Sequence, residues 1–313
     1  MAEQTEAARR ATTAGTAQQG GGAAADGPAA VKLRCRGVAV AEWRAGTDVP
    51  PDLSPRPYLH PVRTLGGTVV TEVSPGDHLH HLGVGVAVPD IDGTSFWGGT
   101  TFTRDRGPVL LDNHGRQEHR AWTSAGAARR AERVAWLSRA GEALCEEVRE
   151  TAAVELDARS WALHLRTRLR NTSGRDLEVN SPATKGRPGA GYGGYFWRAP
   201  KEEAPPRCLG PEAEGEAALH GSRSPWLALL GGSSADTRWT LVFEALGAEQ
   251  DPWFVRAEEY PGVGAALAWD SPLTVPPDGE VDRQVVTVVA DGHLPRPDIA
   301  ELVARARDAV TAA

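Results

Sequence analysis

The run "WALHLRTRLRNTSGRDLEV", residues 161–179, sets Leu163, Leu165, Thr167 and Leu169 in strict alternation with His164, Arg166, Arg168 and Arg170. A helix repeats its faces every 3.6 residues, whereas a strand sends successive side chains to opposite sides. The pattern therefore predicts a strand with one buried and one wet face, ended by turn chemistry at Asn171 to Gly174. Similar runs stand at "VKLRCRGVAVAEW", "GGTVVTEVS", "LGVGVAV", "AERVAWLSR", "ALCEEVRETAAVEL", "WLALLGG", "WTLVFEAL", "AALAWDS" and "VDRQVVTVVAD", separated by Gly, Pro, Asp and Asn. So many short strands predict an all-β fold, a large antiparallel β-sandwich over residues 30–296.

One helix is predicted, over 297–313. In "DIAELVARARDAV", Asp298 and Glu301 have the spacing of a capping box, and Ile299, Leu302, Val303, Ala306 and Val310 share one face. That face should pack on the sandwich. Residues 1–29 are Ala, Gly, Gln and Thr rich, with no large apolar residue after Met1, and read as a disordered tail. Formal net charge is −7, from 41 acids and 34 bases, so no basic field draws nucleic acid. Cys35, Cys145 and Cys208 stand far apart without CxxC spacing, which argues against a structural zinc site or a disulfide framework and suits a reducing cytosol. With no signal-peptide core and no apolar run of about 18 or more residues, a cytoplasmic protein without a membrane partner is expected.

Six of the nine histidines fall between residues 60 and 119, and three of them crowd "SPGDHLHHLGVGV", residues 74–86. In an extended segment His78 and His80 share a face and His81 points away. Two imidazoles on one face form half of a site for one divalent transition metal, with His60, Asp77, His114, Glu118 and His119 as candidates for the remainder. The same rings could instead line a polar ligand pocket, or serve structure alone. "LDNHGRQEHRAW", residues 111–122, brings His114, Glu118 and His119 together and reads as a surface loop that could border the same cleft.

"TKGRPGAGYGGYFWRAP", residues 184–200, combines glycines that permit close approach with Tyr192, Tyr195 and Trp197, and adds Lys185 and Arg198 to clamp oxygens. It lacks the order of a phosphate loop and reads as a long loop over the sandwich. Ten tryptophans against five phenylalanines and four tyrosines favour stacking on a sugar face, with Trp97, Trp197 and Trp253 near Gly or Pro and Arg256 at strand spacing from Trp253. In "CEEVRE", Glu146, Glu147, Arg149 and Glu150 read as an exposed strand face, although burial would make them acid–base candidates. No GxSxG, HExxH or GxGxxG signature is present.

These segments resemble a known family. "RPYLHPVRTLGGTVVTEVSPGDHLHHLGVGVAV" followed by "DGTSFWGG" is similar to the opening of the PmoA-like family, with its "RPY-x-x-P-V", "P-x-D-H-P-H-H-x-G" and "N-G-x-x-F-W" motifs. "GYGGYFWR" and the segment from "PWFVRAEEYPG" to "VVADG" resemble its distal part, where Trp253, Arg256 and Tyr260 answer "W-x-V-R-x-Y" with two extra residues before the tyrosine. The likeness spans residues 55–292, and Leu79 departs from the usual proline. The family's inherited label, methane oxygenase, does not suit a chain without a spanning segment. The resemblance implies instead a supersandwich similar to galactose mutarotase, whose relatives often accompany sugar catabolism.

Together these readings favour an enzyme acting on a sugar, glycoside or oxidised sugar by proton transfer, elimination, epimerisation or hydrolysis. His78, His80, His81, Glu118 and His119 are the candidate catalytic groups, since histidine suits proton transfer near neutral pH. His60, His114, Lys185, Tyr192, Tyr195, Trp197, Arg198, Trp253 and Arg256 are the candidate substrate-binding groups, and His78 and His80 the ligands if a metal is used. A cupin-like metal oxygenase or isomerase and a non-catalytic sugar-binding module are the alternatives.

Overall fold

The Ser160–Asn171 strand buries Leu163, Leu165, Thr167 and Leu169 and turns His164, Arg166, Arg168 and Arg170 outward, as its alternation requires. In the computed structural model, which describes residues 31–312, it is an inner strand of an eight-stranded sheet. The order is Arg207–Leu209, Leu227–Gly231, Trp239–Leu246, Glu280–Asp291, Ser160–Asn171, Ala143–Glu155, Arg129–Leu137 and Arg116–Ala125, every pair antiparallel. A seven-stranded antiparallel sheet faces it, in the order Val31–Cys35, Val38–Arg44, Tyr58–Val62, Val84–Ala87, Gly194–Arg198, Gly262–Ala266 and Trp253–Arg256. The chain is thus an all-β sandwich. The tail expected over 1–29 lies outside the described residues.

Between the sheets, Leu33, Val86, Trp136, Leu163, Trp197 and Phe243 belong to one continuous apolar core. At about 1.5–3 kcal/mol for each large side chain taken from water, this layer dominates the stabilisation. A second apolar layer lies on the outer face of the eight-stranded sheet, where the Arg296–Thr311 helix sets Ile299, Leu302, Val303 and Ala306 against Ala162, Val286 and Val288. The helix begins one residue earlier than expected, and the capping box does not form: Pro295 is the N-cap and makes no side-chain cap. Asp298 remains in the first turn, where its charge suits the helix dipole.

Four local expectations change. "GGTVVTEVS" contributes only isolated bridges at Val69 and Val73 rather than a strand. Residues 116–122, read as loop, open the Arg116–Ala125 edge strand, and residues 194–198, also read as loop, form a central strand. The fourth concerns "CEEVRE". Glu147 and Arg149 are fully buried, because spacing of two puts both on the inner face of their strand. Arg149 donates to both Glu147 oxygens, to Gln117 and to the Pro57 carbonyl, while Trp136 and Thr167 also donate to Glu147. The pair stitches the two sheets together at the centre of the core.

Arg149→Met is expected to lower the unfolding free energy by about 3–5 kcal/mol, because it strands a buried carboxylate. Urea unfolding measures this, and a loss below about 1 kcal/mol would show that water or a rearranged partner replaces the guanidinium.

Candidate functional site

The Gly194–Arg198 strand is buried on both faces. Alternation sends Tyr195 and Trp197 into the inter-sheet core, and Phe196 and Arg198 to the outer face of the seven-stranded sheet. On the Trp253–Arg256 strand, which lies beyond Gly262–Ala266 at the sheet edge, Trp253 and Val255 are core while Phe254 and Arg256 face outward. Loops cover this outer face and enclose a cavity of about 190 Å³ lined by His78, His80, His81, Trp97, Tyr192, Phe254, Arg256 and Tyr260, with Arg187 and Glu259 also on its wall.

The histidine segment is not extended. His78 N–H donates to the Pro75 carbonyl, His81 N–H to that of His78, and Ser74 N–H to that of His81, so the chain makes two successive turns. Turn geometry brings residues three apart together, and it is His78 and His81 that stack, with centroids 4.5 Å apart and planes at 18°. His80 meets His81 edge-on at 4.7 Å. The expected partnership of His78 with His80 on one strand face is therefore replaced by a cluster of all three rings. Packed ring on ring, they do not converge on a point, and among the described residues no group of three His, Cys, Asp or Glu is arranged to hold a metal ion.

Arg198 anchors the cluster. Fully buried, it donates through Nε and Nη2 to one oxygen of Glu72, its guanidinium carbon lies 4.9 Å from the Tyr260 ring centroid, and Nη1 reaches His81 Nδ1 at 3.4 Å. Since arginine only donates, Nδ1 of His81 is the acceptor and Nε2 carries the proton. His80 is fixed from behind: buried Arg56 donates to its carbonyl, and a Cβ on Gly99 would come within 2.8 Å of its Nδ1. Gly99 also has φ of +69°, which favours glycine there. Arg256 is held by His220 at 3.0 Å, by Glu216 at 3.5 Å and by its stack on Phe254.

Burial is the main cause of low basicity in this cluster. It brings His80 down to about 3, reinforced by Arg56, His78, His114 and Arg198, and it lowers His81 as well, reinforced by His80, His78, Arg198 and Arg56. Both rings are neutral at physiological pH. Burial also raises the Tyr260 and Tyr192 phenols, which stay protonated. His78 Nδ1 lies 3.4 Å from Asp77 and is buried without a hydrogen bond.

The other candidates disperse. Tyr195, Trp197 and Trp253, expected to line the cleft, are core residues whose polar atoms bond Thr287, the Val70 carbonyl and the Ser224 carbonyl. His114 Nε2 donates to the Gly99 carbonyl and so supports the loop behind His80. His60 bonds Thr71 and is not on the cavity wall. Lys185 pairs with Asp90 in an adjoining crevice that shares Trp97, Thr100 and Tyr192. Glu118 and His119 are on a separate cavity, because the Arg116–Ala125 strand is at the far edge of the opposite sheet. Arg56, Glu72, Arg187 and Glu259 were not singled out as site residues. Pairs such as Glu72 and Arg198, 126 residues apart, leave no local signal.

A two-sheet sandwich with a loop-covered cavity on one outer face is the class that fold and site define. The chain belongs to a family of unknown function, DUF6807, whose model matches residues 30–304. No curated protein and no solved structure matches it. No described helix is long and apolar enough to cross a membrane, and all three cysteines are free and buried.

His80 and His81 titrate below their unfolded value of 6.5, so the unfolded chain binds more protons as the pH falls. Their contribution is complete above about pH 6.5 and is lost toward pH 3. Urea midpoints measured from pH 7 to pH 4.5 are expected to fall less steeply in His80→Asn than in the parent. Parallel slopes would mean that His80 is not held neutral in the fold.

Proposed function

We propose that the protein is a carbohydrate-active enzyme that holds one sugar ring, or a sugar oxidised to its acid, in the histidine cavity and moves a proton on it. The observation that carries this is the convergence in one cavity of three histidines, two arginines and four aromatic rings. Aromatic faces stack on the apolar side of a sugar, while neutral imidazoles and guanidinium groups hydrogen-bond its oxygens. At about 190 Å³ the cavity is smaller than the roughly 300–1,000 Å³ typical of drug-sized ligands, which suits a single ring.

His80 is the proposed proton acceptor, since it is partly exposed on the wall, and His78 with its unpartnered Nδ1 is the second proton-handling group. In the free protein His80 is a weak base. A bound carboxylate adds negative charge to a wall that holds two arginines and one glutamate, and raises the basicity of His80. Arg256 and Arg187 would hold that carboxylate, and the charge that develops beside it. His81, almost fully buried, acts through Arg198 and its stack on His78 as a positioning residue. The likeness to PmoA-like and galactose-mutarotase-like proteins supports the same reading as an analogy of fold and motif.

Calorimetric titration with monosaccharides and their acids is expected to find a saturable ligand that binds more tightly as the acid. With that ligand, His80→Ala should lower turnover by about 10²–10⁴-fold, the usual contribution of a general base, while the melting temperature is kept. Full turnover in His80→Ala removes the assigned role, and binding without conversion on prolonged incubation makes the protein a sugar-binding module.

A further inference from the structure

A second cavity, of about 560 Å³, opens between the Val38–Arg44 strand of one sheet and the Arg116–Ala125 edge strand of the other. It shares no lining residue with the histidine cavity. Its volume falls in the roughly 300–1,000 Å³ range of small-molecule sites.

Trp43, His119 and Trp122 form one aromatic group, with centroids 4.7–5.1 Å apart. Beneath them lies Glu132, only 2% exposed. One of its oxygens accepts from Trp43 Nε1 at 3.0 Å and the other from His119 Nδ1 at 2.7 Å. Both carboxylate oxygens are thereby occupied, and the acceptor on Nδ1 fixes the tautomer of His119. In the neutral ring with Nδ1–H on Glu132, Nε2 is an acceptor, and it has no partner among the described residues. Arg116 and Glu118 also line the cavity, and Arg116 and Arg120 both pair with Glu118. Arg130 lies over the Trp122 ring, its guanidinium carbon 5.6 Å from the centroid.

We propose that this cavity binds a flat aromatic molecule bearing a hydroxyl, a phenol in chemical class, whose ring packs against Trp43 and Trp122 and whose O–H donates to His119 Nε2. Flat aromatic walls select the ring, and the imidazole nitrogen beside them selects a donor on it. The buried Glu132 holds the imidazole in orientation, as a carboxylate does for a histidine in other sites.

4-Fluorophenol, followed by fluorine NMR on the full chain, tests this, with fluorobenzene as the ring that lacks the hydroxyl. The parent is expected to bind 4-fluorophenol saturably and about tenfold more tightly than fluorobenzene, the difference one hydrogen bond makes. His119→Phe keeps the aromatic packing and should bind the two probes equally. Trp122→Ala, on a partly exposed wall, should weaken both and serves if His119→Phe does not fold. His80→Ala, in the other cavity, should leave 4-fluorophenol binding as it is. No saturable binding to the parent, equal affinity of the parent for both probes, or binding lost in His80→Ala but kept in Trp122→Ala would each overturn the proposal.

Discussion

The arrangement depends on one five-residue strand being buried on both sides. Gly194–Arg198 is central in its sheet, so its inner side chains, Tyr195 and Trp197, are packed by the opposite sheet while its outer ones, Phe196 and Arg198, are packed by loops. A strand's period of two makes those assignments inseparable: a register slip of one residue would put the guanidinium in the apolar core and a tryptophan in the cavity. Core and candidate site are therefore two faces of one element. The histidine turns, the Trp97 loop and Tyr260 are positioned by contact with side chains whose direction the core has already set.

Buried charge gives the interior its second layer of specification. Arg149 with Glu147 joins the two sheets, and Arg198 with Glu72 ties the central strand to the segment leading into the histidine turns. Arg56 links the same region to the carbonyl of His80. A desolvated guanidinium tolerates few geometries, so each of these holds its neighbours in one arrangement at some cost in stability. Burial, reinforced by the positive charge of Arg56 and Arg198, is also why His80 and His81 are neutral rings rather than imidazolium ions. The electrostatics of the cavity thus follows from how the sandwich is fastened together.

Much of the fold was legible because alternation is local. Leu163 to Arg170, the two halves of "VKLRCRGVAVAEW" and the apolar face of the last helix could each be read from neighbours within a few residues. The errors also have local causes. "GYFWR" has no polar alternation to read, because a strand covered on both faces has no wet side, and its glycines suggested a loop. "GGTVVTEVS" has the right residue types but meets its neighbours only at isolated bridges and single hydrogen bonds. The histidines were located correctly as a crowd, yet paired wrongly, since a turn and a strand place residues 78, 80 and 81 in different relations.

By itself the sequence determined the all-β class, the terminal helix and the crowding of histidines near aromatic and arginine-bearing segments, since each of these is encoded by periodicity or by residues adjacent in the chain. The tertiary structure alone decided which aromatics are core and which are wall, that Glu118 and His119 have a cavity of their own with Glu132, and that Arg198 rather than a metal ligand organises the three imidazoles. Those outcomes depend on contacts between residues tens to more than a hundred positions apart, and such contacts are set by sheet order and by which face of each strand is covered.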